Sequence, residues 1–435
     1  MLRPVTIALL LLAAPRAFAD ARVLTVEDAE RLALAQNPHL LSSRARADAG
    51  RNLARSARGR LLPSITVTDE YQHWDSPFRI SIGAFGVPGA NMSFLVRQAD
   101  TNAFIASANQ PLLGLLRRTA EWQSQRASTD AAVASVRVSE AALREAVRDG
   151  FLSYFQARAQ REIAGASEEE LAAQLREAEV RLRAGVITNA DLLRVSVARA
   201  NAAQQALDAE TQAEAARANL LAALGMDPAD PSVELAVPTR VLAASEQPLP
   251  VVTLATARAL EHRPELAQAR RTRDAAVEQR RARAFSLLPE IDAEGSYQRF
   301  DGQLFQPPNA AYVGVRASWT LWEWGASFYA YRAAAAQAEA SAHDLDDTQQ
   351  TVRAQVVVAL ARARSAASAV TVAQAAIGSA EEAYRVTDVL VQAGSATTTD
   401  LLDAQAALTT ARLNLLRARY ERAAAHTALE RVLAE

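Results

Sequence analysis

The sequence predicts a mainly α-helical chain with a small share of membrane-type β structure, built as an internal tandem duplication. Three observations carry that prediction. Motifs recur in order at a nearly fixed spacing. Alanine is abundant, aromatics make up only 6% of residues, and glycine and proline cluster in few places, which suits long helices better than compact domains. Between the helical stretches lie short segments with strand-like alternation, too few in one chain to close a barrel.

The duplication comes first because it orders everything else. LLPSITVTDEYQ at 61–72 returns as LLPEIDAEGSYQ at 287–298, an offset of 226. Asn37-Pro38-His39-Leu40 pairs with Arg263-Pro264-Glu265-Leu266 at the same offset. Further on, Ala184-Gly185 pairs with Ala393-Gly394, and Asp191-Leu192-Leu193 with Asp400-Leu401-Leu402, now at an offset of 209. The difference of 17 residues falls between Gln72 and Pro111, so the first half carries the longer loop, expected at 76–98.

Each half then has one plan. The first repeat, 20–224, reads as a helix at about 38–62, a β-hairpin at about 64–111 and a long helical hairpin at about 119–224 that turns at 185–189. The second, 253–435, repeats this with a helix at about 264–288, a hairpin at about 289–321 and a helical hairpin at about 326–433. Residues 225–252, with Pro228, Pro231, Pro238, Pro248 and Pro250, read as an irregular linker. At ~1.5 Å per residue, 120–184 spans about 98 Å, 190–224 about 52 Å and 38–62 about 38 Å. Each half therefore offers one continuous rod and one broken rod of similar length, the parts of a wall of staves.

In the strands, Val313, Val315, Ala317, Trp319 and Leu321 alternate with Gly314, Arg316, Ser318 and Thr320. Ile291, Ala293, Gly295 and Tyr297 oppose Asp292, Glu294, Ser296 and Gln298. Ile65 and Val67 follow the same rule, with Asp69 falling on the apolar face. That period suits strands with one face to lipid and one to water, and equally an ordinary exposed hairpin. Two hairpins give four strands, and an open edge in lipid strands backbone groups without partners. Closure requires several copies: two give eight strands and a filled interior, three give twelve and a lumen.

Residues 1–19 read as a signal peptide: Arg3 at the start, a short apolar run from Val5 to Ala14, and Ala17-Phe18-Ala19 before the cut. Losing Arg3 and Arg16 moves the formal net charge from −2 to −4. Every basic residue is arginine, and no basic field points to nucleic acid. Absent cysteine excludes disulfides, thiol chemistry and a lipid anchor on cysteine. No uninterrupted apolar run of 18 residues follows the signal, so no membrane-crossing helix is expected. His39, His73, His262, His343 and His426 are scattered, and no nucleotide, nucleophile or zinc motif is present; no enzyme, metal or cofactor is expected.

The two turns carry the candidate site. Gly185 and Gly394 follow alanine as helix ends, and Thr188 and Thr397 stand where the next helix needs a cap. Asp400 and Asp403 share a face of the restarted helix; acidic side chains there also favour the helix dipole. Asp191 is the first-half counterpart, with Arg194 in place of a second acid.

These residues resemble the TolC-like outer-membrane efflux proteins. The likeness covers the whole mature chain and rests on the duplication, LTVEDAERLALAQNPHL (24–40), LLPSITV (61–67), RLRAGVITNADLL (181–193), LGMDP (224–228), TLWEWG (320–325) and QAGSATTTDLLDAQ (392–405). The first half departs from it with Leu112-Leu113-Gly114-Leu115 at the strand–helix junction. The resemblance implies a homotrimer with a 12-stranded outer-membrane β-barrel in lipid, continued by a long α-helical periplasmic barrel. It implies a channel-tunnel for a tripartite efflux pump or type I secretion system, partnered by a periplasmic adaptor and an inner-membrane pump. It makes Asp400 and Asp403, with Asp191 and Arg194 beside them, the channel constriction, and the turns at Gly185, Thr188, Gly394 and Thr397 the adaptor-docking tips. An Arg194 contact to the acidic cluster would latch the tip. The alternative is a soluble periplasmic coiled-coil scaffold or adaptor, disfavoured by two helical hairpins and few strands.

Overall fold

The computed structural model describes residues 22–83 and 91–434; the expected signal peptide lies outside them. Each half opens with an 11-residue helix and a 22-residue helix joined at a proline. α1 (Val26–Gln36) meets α2 (Pro38–Gly59), and α6 (Val252–His262) meets α7 (Pro264–Phe285). The joints follow from chemistry. Proline excludes the α conformation from the residue before it, and Asn37 and Arg263 are both extended, with ψ of 121° and 127°. Asn37 caps α2 by accepting from Leu40 N at 3.1 Å, and its amide donates to Ala223 O at 3.0 Å. Arg263 is 5% exposed and donates to Glu265 and Gln355.

The long elements are α3 (Gly114–Arg183), α4 (Asn189–Ala223), α8 (Ala326–Gln392) and α9 (Thr398–Leu433). At ~1.5 Å per residue, α3 is about 105 Å long. α2 and α4 both pack along α3, as α7 and α9 do along α8, so each long helix has a broken partner. Thr129 Oγ1 donates to Gly50 O at 2.9 Å, fixing α2 against α3. α3 begins at Gly114, earlier than expected. Pro111 ends the preceding strand, and Leu112 N and Leu113 N both donate to Ile291 O, which leaves no room for a loop.

One window of α8 is long and apolar enough to cross a membrane, against expectation. The same 67-residue helix packs through Ala373 on Leu415 and Ala418 of α9.

Two cores occupy the middle of the rods. One joins Ala29 and Ala33 to Val147, Phe151, Leu220 and Leu224. The other joins Ala255 and Ala259 to Val356, Leu360, Leu429 and Leu433. The paired positions differ by 226 on the short helices and by 209 on the long ones, the offsets of the sequence motifs. The linker is not irregular here. β1 (Arg22–Leu24) pairs in parallel with β5 (Val233–Leu235), and α5 (Thr239–Ala244) follows. Val233 is drawn into the first core beside Leu24, which gives this proline-rich stretch a fixed course.

The membrane-type strands form one open antiparallel sheet in the order β2 (Ser64–His73), β4 (Asn91–Pro111), β6 (Glu290–Gln303), β7 (Asn309–Ser318). A fifth strand, β3 (Phe78–Gly83), pairs with β4 at Asn91–Arg97, beyond the stretch that β2 pairs, so the sheet stays four strands wide. The expected loop at 76–98 is thus largely strand, with 84–90 outside the described residues. The register puts Ile65, Ala108, Gly295 and Val313 in one row and Val67, Ala106, Tyr297 and Ala311 in the next, all on one face. Val313 is 91% exposed. Trp319 and Leu321 fall past the end of β7, so they extend the apolar face without belonging to the strand.

Two outcomes follow. Phe151→Ala should lower unfolding stability by about 3–5 kcal/mol, because a fully buried ring leaves a cavity; urea denaturation checks it. Asp149 is pushed up to about 6 by burial, then by Glu145, against the pull of Arg431. With a raised folded pKa, stability is intact below the ordinary 3.8 and is lost as pH rises through about 6. Asp149→Asn should therefore stabilise by about 1–2 kcal/mol at pH 8, a figure discounted for solvent screening, and by much less at pH 4.

Candidate functional site at the helical tips

The two turns have the same construction. Gly185 and Gly394 both sit at φ +73°, the left-handed region that closes a helix without steric cost. Val186 N donates to Arg181 O at 2.9 Å, and Ser395 N to Leu390 O at 2.8 Å, satisfying carbonyls at each helix end. A Cβ at either glycine would meet nothing within 4 Å, so only backbone conformation demands glycine there.

The restart is a reciprocal cap. Asp191 N donates to Thr188 Oγ1 at 3.2 Å, while Thr188 N and Oγ1 donate to Asp191 Oδ2 at 3.1 and 2.7 Å. In the second turn Asp400 N donates to Thr397 Oγ1 at 3.2 Å, and Thr397 N and Oγ1 donate to Asp400 Oδ2 at 2.8 and 2.7 Å. The threonine side-chain bond, then its backbone N–H, holds each carboxyl below the usual aspartate value. Asp403 is exposed on the same helix.

Arg194 bridges the two turns in an unexpected way. Its Nη1 donates to Asp191 Oδ1 at 3.1 Å and to Thr399 Oγ1 at 3.5 Å. The bridge from α4 to α9 ends on this hydroxyl and not on Asp400 or Asp403. Arg194 thus brings the two tips together within one chain.

A second cluster above the tips escaped the sequence reading. Gln405, 2% exposed, accepts from Gln174 Nε2 at 2.5 Å and donates to Glu170 at 3.2 Å. Gln174 also reaches Tyr384 at 3.5 Å, and Arg412 reaches Glu170 at 3.5 Å. These contacts tie α3 to α8 and α9 with polar groups at a depth where apolar packing prevails. The signal was present: Gln405 interrupts a buried stripe of Leu401, Leu408, Ala411 and Leu415. Among the described residues no group of three or more His, Asp or Glu could hold a metal ion.

The profile of the outer membrane efflux protein family matches residues 30–226 and 255–435. The chain belongs to that family. Its fold is shared with three solved structures. The outer-membrane channel OprN is 20% identical, with a TM-score of 0.80 over 94% of this chain and 89% of that one. VceC of Vibrio cholerae is 15% identical, with a TM-score of 0.78 over 94% and 95%. CusC is 16% identical, with a TM-score of 0.80 over 94% and 91%. No curated protein matches the sequence. As a member of that family the protein is an outer membrane efflux protein.

Because the folded pKa of Asp191 and Asp400 is lowered, their stabilisation of the caps is present above the ordinary 3.8 and is lost as pH falls through the depressed value. The protection factor of the Leu401 and Leu402 amides, their exchange relative to the intrinsic rate at the same pH, should be high at pH 6 and drop when pH falls below the depressed value. Thr397→Ala should give the low protection already at pH 6.

Proposed function

We propose that three copies join into a 12-stranded barrel in the outer membrane, continued by an α-helical tunnel across the periplasm. The assembly serves as the exit duct of a tripartite efflux pump or type I secretion system, with a periplasmic adaptor and an inner-membrane pump as partners. The observation that carries this reading is the open sheet: one face is apolar and exposed, both edges are free among the described residues, and rods about 100 Å long continue it. Each chain is a tandem duplication, 20–224 and 253–435, around the segment 225–252.

In this assembly Asp400 and Asp403 form two rings of three carboxylates at the periplasmic mouth. Crowded like charges repel one another and attract cations. Asp191 and Arg194 brace the ring from the neighbouring turn. The tips at Gly185, Thr188, Gly394 and Thr397 form the surface the adaptor grips. Opening requires α3 to part from α8 and α9, so the Gln174–Gln405–Tyr384 contacts must break, a two-state change that partner binding biases.

In planar bilayers, Asp400→Ala with Asp403→Ala should abolish cation selectivity of the single channel; unchanged selectivity would remove the carboxylate rings from the account. Gly185→Trp should weaken adaptor capture in a pull-down while leaving the trimer intact. In cell fractionation, a heat-labile trimer in the detergent extract of the outer membrane is the expected form, and a soluble monomer would favour a periplasmic scaffold.

A further inference from the structure

We propose that the collar where helices give way to strands binds an anionic glycerophospholipid of the periplasmic leaflet. The proposal rests on the reading that the sheet sits in the membrane, and it adds a lipid class and the residues that select it.

Two clefts meet at Ser286. The first, about 320 Å3, lies between α2, α3 and α7 and is lined by Arg60, Arg117, Arg118 and Arg283. Arg117 is neutralised by Glu121 at 3.1 Å and Glu290 at 2.7 Å. The other three are not. Arg118 donates to the carbonyl of Arg60 at 2.8 Å, and the Arg60 and Arg283 guanidinium groups have no ion-pair partner among the described residues. The positive field widens along the same helix end: Arg55 and Arg58 in the last turns of α2 and the C-capping Arg60 have no ion-pair partner among the described residues, whereas Arg51 is paired with Asp48.

The second cleft, about 540 Å3, is lined by Leu287, Leu288, Trp319, Leu321, Trp322 and Phe328, together with Glu290, which is paired with Arg117, and Glu323, which accepts from Ser327 N at 2.7 Å. Trp319 Nε1 donates to Leu287 O at 3.3 Å, which ties the indole to the turn between α7 and β6. Trp322 packs edge-on against Trp324 at 5.8 Å. All of these stand at the membrane end of the helical wall, immediately before Ile291 or after Ala317 of the apolar sheet face.

Adjoining charged and apolar clefts fit an amphiphile with a phosphate and an acyl chain. Guanidinium groups bind phosphate oxygens in paired hydrogen bonds, and indoles settle at the headgroup level with the ring toward the chains. Phosphatidylglycerol satisfies the arginines without adding a cation. A zwitterionic headgroup brings an ammonium against uncompensated guanidinium charge, which like-charge repulsion opposes. Free phosphate shares the anion chemistry but leaves the apolar cleft unfilled.

The test uses the assembled protein in phosphatidylcholine nanodiscs, in a Trp74→Phe, Trp122→Phe background whose remaining indoles are Trp319, Trp322 and Trp324. Brominated phosphatidylglycerol should quench their fluorescence at a far lower mole fraction than brominated phosphatidylcholine. Each arginine lost should weaken that preference roughly five-fold, and Arg60→Gln, Arg118→Gln and Arg283→Gln together about 100-fold. The triple lysine variant keeps the charge and should keep most of the preference, which separates loss of charge from loss of fold. Equal quenching by both lipids in the parent protein overturns the proposal while leaving the membrane reading intact. No quenching by either overturns the membrane reading itself. Displacement of phosphatidylglycerol by inorganic phosphate at equal concentration overturns the lipid assignment in favour of a simple anion site.

Discussion

Along the outer edges of β2 and β7, the backbone N–H and C=O groups that point away from the sheet find no strand to pair with among the described residues. In water this is tolerable. In hydrocarbon each unpaired group costs several kcal/mol, and an edge of several residues exceeds the stability of an ordinary domain. The exposed faces make water the wrong solvent, since Val313, Val315, Ile65 and Val67 all stand outward. Satisfying both demands at once requires more copies of the same sheet. On the proposed reading the trimer is therefore a consequence of hydrogen-bond accounting rather than an added property.

The helical wall solves a different problem with the same repeat. A continuous α3 or α8 has no globular core to lean on, so its stability comes from neighbours along its length. The broken partners supply them, α2 and α4 on one side, α7 and α9 on the other. The break is placed at mid-height, where the chain packs its two largest clusters of buried apolar residues. There Phe151 in one half and Leu360 in the other occupy equivalent places, so the duplicated positions are kept while side-chain size is adjusted. Toward the tips buried apolar residues such as Leu171, Val195, Leu401 and Leu408 are joined by polar contacts such as Gln405 with Gln174.

Much of this was legible in the sequence. Repeated motifs with one change of offset gave the two halves, glycine after alanine marked both tips, and alternation marked the lipid-type faces. What escaped has physical causes. The β1–β5 pair joins residues more than 200 positions apart through three backbone pairs each, too short for any periodicity to register. β3 was hidden in a glycine- and proline-punctuated stretch whose turn chemistry resembles a loop. In the sequence Arg263 is only the counterpart of Asn37 before a proline, yet it is buried against Gln355 and Glu265. For Asp400 two readings were open, helix cap or constriction. The cap geometry is present within the chain, and the constriction depends on copies that a single chain does not contain.

The absence of cysteine from the native sequence makes the central claim directly measurable. Val67→Cys on β2 can be combined in turn with Val313→Cys, Val315→Cys or Ala317→Cys on β7 and oxidised in isolated outer membranes. These residues share the lipid-type face at opposite edges of the sheet. If β2 of one copy pairs with β7 of the next, at least one combination forms a covalent trimer that survives boiling in detergent and collapses to monomer on reduction. If every combination remains monomeric, or links only within one chain, the edges do not meet between copies and the barrel is not shared.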